Sequence, residues 1–192
     1  MMNIFVIDTS IENGYVALVL NNTIIDKKHF PSKGQSKFIL PYIEQILKEN
    51  NLSLENIHLI GVCIGPGSFT GVRVGVMIAK SLAYGANIPI IGFNSFIPYP
   101  RTQHITVIPS KIDYGYISKD NELSFTPLST LKNEKNPIST PSKEKISAYI
   151  PHSLINSVSY SIERIIDFLK SEFKNISNTN NTDIEVIYLQ PL

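Results

Sequence analysis

The segment Gly65-Pro-Gly-Ser-Phe-Thr-Gly71-Val-Arg-Val-Gly75 constrains the fold of this chain more than any other. It lies between a strand-like apolar run, His58 to Ile64, and an apolar helical pattern from about Thr70 to Tyr84. The chain must therefore pass from a buried strand into a helix within a few residues. Pro66 fixes its own φ, Gly65 and Gly67 permit the sharp bend, and Ser68 or Thr70 can cap the N–H groups that open the helix. Such a helix start can hold an anion on its free N–H groups, or it can be a closed, capped turn with no ligand, and local chemistry leaves both readings open. No Gly-Lys-Ser/Thr closes the loop as in a Walker A site, and its glycines do not follow the Gly-x-Gly-x-x-Gly spacing.

The flanking pattern supplies the architecture. Ile4-Phe5-Val6-Ile7 is a short, fully apolar run suited to a central strand buried on both faces, ended by Asp8-Thr9-Ser10. After Asn13-Gly14, Tyr15 to Leu20 reads as a second strand, and Asn21-Asn22 turns it into a third from Thr23 to about Phe30. From Ser36 to Glu49, Ile39, Ile43, Ile46 and Leu47 recur as one helical face, with Phe38 and Tyr42 as a second apolar stripe beside it. Ile88 to Phe93 adds one more strand, giving the order βββαβαβ. An opening meander followed by alternating helices predicts a mixed sheet with parallel strands in its second half, the order of a ribonuclease-H-like half-domain of actin-like ATPases.

The second half reads as a reduced echo. Strand-like runs fall at Ile105 to Ile108, Tyr114 to Ser118 and Leu123 to Thr126, the last two joined at Asp120-Asn121, and residues 126 to 145 read as a loop. Ile146 to Ile150 is expected as a strand, Leu154 to Phe173 as a helix, 178 to 183 as a polar loop and Ile184 to Leu189 as a final strand. The expected organisation is thus an α/β fold of two lobes, 1–97 and a pared-down 98–192.

Composition narrows the function. The 192 residues carry 43% hydrophobic content but only 17% charged residues, against about 25% in ordinary soluble domains, which favours a chain that lives in a complex. With 17 basic and 16 acidic residues the net charge is +1, too little for a broad phosphate-binding field. Cys63 is the lone cysteine and sits in an apolar run, so it reads as a buried, reduced thiol. His29, His58, His104 and His152 include no pair within i, i+4 reach that could share a metal ion on a helix. The opening MMNIFVIDTS has no basic region, and its apolar stretch breaks at Asp8, so neither a signal peptide nor a membrane anchor is expected, and the location expected is cytoplasmic.

Taken together, GPGSFTGVRVG followed by Ala79-Lys80-Ser81-Leu82-Ala83, Ile7-Asp8-Thr9-Ser10 at the first strand end, Leu40-Pro41-Tyr42-Ile43 and the final Ile187-Tyr188-Leu189-Gln190-Pro191 resemble the TsaB (YeaZ) family. The resemblance is strong to about residue 95 and weak over 98 to 183. It implies an actin-like fold and a non-catalytic subunit that pairs with the catalytic TsaD paralogue, alongside the ATPase TsaE. The reaction implied is threonylcarbamoylation of the adenosine beside the anticodon of ANN-decoding tRNAs, with tRNA contacted only indirectly.

The same resemblance directs the site expectations. In the family the first two helices form a four-helix bundle with the partner, which implies an interface at Phe38, Ile39, Tyr42, Ile43, Ile46, Val72, Arg73, Val76, Met77, Lys80 and Tyr84, and a homodimer through that face when the partner is absent. Gly65, Pro66, Gly67, Ser68, Phe69, Thr70 and Gly71 form the motif loop. Asp8, Thr9 and Ser10 sit where actin-like ATPases handle phosphate and magnesium, and are the candidate nucleotide turn, the other reading being a strand end satisfied by its own side chains. Where the catalytic paralogue carries a His-x-x-x-His metal pair, this chain reads Gly92-Phe-Asn-Ser-Phe-Ile-Pro-Tyr-Pro100. A family Asp-Ala-Arg stretch is replaced by Pro109-Ser110-Lys111, and a family His-Ser by Gln35-Ser36. No catalytic residue, metal or cofactor is therefore expected, ATP or ADP entering only at an interface with partners. The competing reading is an actin-like nucleotide-binding enzyme, ATPase or peptidase-like, acting alone.

Overall fold

The computed structural model describes residues 2–31, 34–100, 105–110, 113–120, 122–175 and 184–189. The expectations for His104, Lys111, Asn121, 178–183 and Gln190-Pro191 lie outside them. The chain divides into two compact units, Met1–Ser95 with Ile165–Ile187, and Phe96–Arg164 with Tyr188–Leu192. The expected lobes are 1–97 and 98–192, whereas the segment Ile165–Ile187, assigned by chain order to the second lobe, groups with the first unit.

In the first unit, β1 (Asn3–Asp8), β2 (Tyr15–Leu20) and β3 (Thr23–His29) form the antiparallel meander, with Asn21 and Asn22 both at positive φ in the tight turn between β2 and β3. A helix, α1 (Ile39–Glu49), leads to β4 (Leu59–Gly65), and α2 (Phe69–Ala86) leads to β5 (Ile90–Asn94). The sheet order is β3-β2-β1-β4-β5, with β1, β4 and β5 parallel. The order and mixed direction are those expected from the sequence.

Both faces of this sheet are covered, which is why β1, β2 and β4 are apolar without alternation. Phe5, Ile7, Val16, Leu18, Ile60, Val62 and Ile90 form one core with Ile39, Ile43 and Ile46 of α1 and Val72, Val76, Ala79 and Ala83 of α2. On the opposite face Gly61 lies against Leu169 of a further helix, Ile162–Asn175, so closely that a Cβ on the glycine would collide with the leucine side chain. The expected final strand is not one: Ile184–Leu189 carries no helix or strand. It is held where the Ile187 N–H donates to the Ile64 carbonyl (2.8 Å), and Ile184 packs beside Gly92.

The second unit contains β6 (Ile105–Pro109), β7 (Tyr114–Lys119), β8 (Glu122–Pro127), a 3-10 helix Leu128–Asn133, β9 (Ile138–Thr140), α3 (Lys143–Ile146) and β10 (Ile155–Ser157); the helix Ile162–Asn175 is α4. Its sheet order, β10-β9-β6-β7-β8, is that of the first sheet with each strand replaced by its successor in the repeat. The directions agree too: β6, β7 and β8 are antiparallel, and β9 and β10 lie parallel to β6. The echo is therefore topological, while its connections have shrunk. The 11-residue α1 corresponds to a 6-residue 3-10 helix, and the 18-residue α2 to a 4-residue α3. Ile105, Val107, Ile117, Leu128, Leu131, Ile138 and Ile146 make a small core of their own.

Three sequence expectations fail here. Residues 126–145 contain the 3-10 helix and β9 rather than a plain loop, Ile146 ends a helix rather than opening a strand, and the last helix starts at Ile162 because Ile155–Ser157 pairs with β9. A three-residue strand is shorter than the roughly four to eight residues over which alternation can be read.

Candidate partner face and the motif turn

The motif loop seats α2 directly on the end of β1. Asp8 is fully buried, and its Oδ1 accepts from the Ser10 N–H (2.9 Å) and the Ser10 hydroxyl (2.6 Å). The Thr9 hydroxyl donates to the Gly71 carbonyl (2.7 Å), and the Ser68 N–H donates to the Ser10 carbonyl (2.8 Å). Three glycines make this contact fit. A Cβ on Gly67 would lie 2.6 Å from the Ser10 carbonyl oxygen, one on Gly71 would collide with the Thr9 carbonyl oxygen, and one on Gly75 with Thr9 Oγ1. Gly65 has φ 94°, a conformation a side chain would strain, and Ser68 Oγ caps the helix by accepting from the Gly71 N–H (3.2 Å). Gly71 and Gly75 thus admit Thr9 of the same chain, its backbone at Gly71 and its side chain at Gly75.

The structure places Asp8, Thr9 and Ser10 together at the end of β1. All three are buried, and the hydrogen bonds just described are made within the turn and with the motif loop. Cys63 lies beside them, fully buried, and its thiol is pushed well above its ordinary range, first by burial and then by the charge of Asp8. Gln35 ties the same loop from the other side, its Nε2 donating to the carbonyls of Ile11 (3.1 Å) and Glu12 (3.0 Å). Among the described residues, no group of three or more His, Cys, Asp or Glu is placed to hold a metal ion. No helix among them is long and apolar enough to cross a membrane.

The residues expected at a partner face separate into two sets. Ile39, Ile43, Ile46, Val72 and Val76 point into the core and are buried against the sheet, so they are not surface residues of the free chain. Phe38 and Tyr42 are half-buried; Tyr42 stacks on Phe30 at 5.9 Å between ring centroids and lies 5.6 Å from Phe38. Arg73, Met77 and Tyr84 stand exposed, Met77 at 68% and Tyr84 at 84%, with Lys80 half-buried among them. Two further apolar side chains belong to the exposed set: Leu40 at 50% and Phe69 at 60%, the latter lying 3.7 Å from its ring centroid to the Arg73 guanidinium. Their signal was available in the helical phase. Phe69, Arg73 and Met77 are spaced by four, and Leu40 is one step out of phase with the Ile39, Ile43 and Ile46 stripe. Periodicity finds the stripes on a helix, but only the location of the sheet says which one faces inward.

Comparison with known proteins agrees with this fold. Residues 29–111 match the family described as TsaD, tRNA N6-adenosine threonylcarbamoyltransferase. The TsaB protein of Escherichia coli is 38% identical over 96 residues, 50% of this chain and 42% of that protein. The TsaB protein of Bacillus subtilis is 36% identical over 95 residues, 49% of this chain and 42% of that protein. Both are described as tRNA threonylcarbamoyladenosine biosynthesis proteins. The chain thus spans less than half the length of these curated relatives. YeaZ from Pseudomonas aeruginosa superimposes with a TM-score of 0.74 at 16% identity, covering 98% of this chain and 100% of that one, a likeness that speaks for the fold. By the motif-bearing sequence of its first unit the chain is similar to TsaB proteins, and by its actin-like, ribonuclease-H-like fold it is similar to YeaZ.

Proposed function

We propose that this chain is a non-catalytic subunit in tRNA threonylcarbamoyladenosine biosynthesis, pairing with a TsaD-like paralogue through the outer faces of α1 and α2. The observation that carries this reading is the exposed row Phe69, Met77 and Tyr84 on α2, with Leu40 on α1, on helices whose other faces are already satisfied by their own core. Large apolar side chains grouped on one surface mark interaction sites. The match of residues 29–111 to the TsaD family supports a paralogous partner, because related helices can pack across a pseudo-twofold axis. The closed Asp8–Ser10 turn speaks against the rival of a free-standing nucleotide enzyme.

In this role the chain holds the partner in its active arrangement and contributes to the surface met by a TsaE-like ATPase, with tRNA contacted indirectly and any ATP or ADP held at a shared interface. In the absence of the partner the same face joins two copies. The place of action is the cytoplasm.

The test is to mix the chain with the TsaD-like protein of the same organism and measure both complex formation and threonylcarbamoyladenosine in tRNA by mass spectrometry. Modification that requires both proteins, and fails with Met77→Asp while the variant remains folded, supports the proposal. No complex and no dependence would overturn it, and nucleotide hydrolysis by the isolated chain would install the rival.

A further inference from the structure

The two kinds of side-chain sulfur meet an oxidant on different terms. A thiol reacts as its thiolate, whereas a thioether has no proton to lose and needs only to be reached. Here the thiol is protected: Cys63 is fully buried, and burial with the charge of Asp8 keeps it protonated. The chain has no tryptophan, and of its three methionines two, Met1 and Met2, precede β1. The third, Met77, stands 68% exposed at the middle of α2.

Its place on the helix gives that exposure a consequence. Phe69 lies about two turns before it and Tyr84 about two turns after it, both exposed, so Met77 is the centre of the apolar row that faces away from the core. An unbranched thioether fills an apolar contact readily. A sulfoxide carries a polar oxygen that the same contact would bury without a donor, and that costs free energy.

We propose that Met77 is an oxidation site of the free chain, and that its sulfoxide blocks docking of the TsaD-like partner until it is reduced. The inference rests on the partner-face reading. In the forward step the O–O bond of hydrogen peroxide breaks, one oxygen bonds to the Met77 sulfur, and the other leaves as water; the sulfur loses two electrons and the peroxide gains them. In the return step two thiols of a reductase supply two electrons and two protons, the sulfoxide oxygen leaves as water, and the thiols join as a disulfide. Docking covers the sulfur, so the free chain is the form that is oxidised.

The test treats the whole chain with dilute hydrogen peroxide, destroys the excess with catalase, and locates the added oxygen by peptide mass spectrometry. Affinity for untreated TsaD-like protein is measured by calorimetry before peroxide, after it, and after methionine sulfoxide reductase. The parent is expected to take up oxygen at Met77, to lose affinity about tenfold or more, and to regain it on reduction. Met77→Leu has no sulfur at this position; whatever its own affinity, peroxide should leave that affinity unchanged.

Oxygen at Met77 without loss of affinity overturns the inference, as does oxidation that spares Met77, or an equal loss in Met77→Leu. A parent chain that binds no TsaD-like protein in either state removes the partner reading and the oxidation gate together. A parent that binds equally well in both states removes the gate alone.

Discussion

Thr9 and Gly71 are packed so closely that one methyl group on the glycine would occupy the space of the threonine's carbonyl oxygen. The threonine hydroxyl at the same time donates to the Gly71 carbonyl at 2.7 Å. The most recognisable motif in the chain is thus a joint between α2 and the end of β1, and it sets where the outer face of α2 stands.

The joint makes a graded prediction. Gly71→Ala meets backbone and should destabilise the chain by about 1–3 kcal/mol or more, with no easy relief. Gly75→Ala meets mainly Thr9 Oγ1. Thr9→Ala should therefore recover part of the loss from Gly75→Ala and none of the loss from Gly71→Ala, measured by urea denaturation of the single and double variants.

The contact of Gly61 with Leu169 is a test of the segment that chain order misassigned. Leu169→Ala alone should cost about 2–5 kcal/mol through the cavity it leaves. Gly61→Ala alone should destabilise by forcing the leucine aside, and the double variant should lose less than the sum, because the added methyl fills part of the vacated space. Strict additivity in denaturant melts would mean that α4 does not pack on this sheet.

Surface and core positions of α1 and α2 should respond in opposite ways to a carboxylate. Met77→Asp and Tyr84→Asp, at exposed positions, should stay within about 0.5 kcal/mol of the parent's stability while abolishing partner capture. Ile43→Asp buries a charge against the sheet and should unfold the chain, leaving no binding to interpret. Circular dichroism melts alongside pull-down separate the two outcomes.

Cys63 supplies a pH dependence. Burial and the charge of Asp8 raise its pKa in the folded chain, whereas the unfolded chain ionises near the ordinary thiol value, about 8.5. Stability from this group is fully present below that value. It is lost as pH rises, because unfolding then releases a proton that folding retains. The stability of the parent should fall more steeply above about pH 8.5 than that of Cys63→Ala, and a thiol reagent should label Cys63 only as the chain unfolds.

The sequence by itself determined most of the first unit. Short apolar runs without alternation, bounded by turn residues, suit strands buried on both faces, Asn21-Asn22 suits the positive φ of a tight turn, and Gly-Pro-Gly between a buried strand and an apolar helical pattern suits a sharp passage into a helix. These are local properties, legible from residue chemistry, and they were enough to give βββαβαβ and a mixed sheet. Short elements were not legible: Ile138–Thr140 and Ile155–Ser157 form strands because a neighbouring strand offers them hydrogen bonds, which no local pattern encodes.

The site was legible in kind but not in orientation. The sequence marked α1 and α2 as helices with more apolar surface than one core contact needs, but it could not say that Ile39, Ile43, Ile46, Val72 and Val76 turn inward while Leu40, Phe69, Met77 and Tyr84 turn outward. Nor could it say that Asp8, Thr9 and Ser10 are closed over by the motif loop, or that α4 returns to cover Gly61. Each of these depends on which surface a side chain meets across a large separation in sequence. The local chain fixes the period of a helix, and only the packed sheet beneath it fixes its phase.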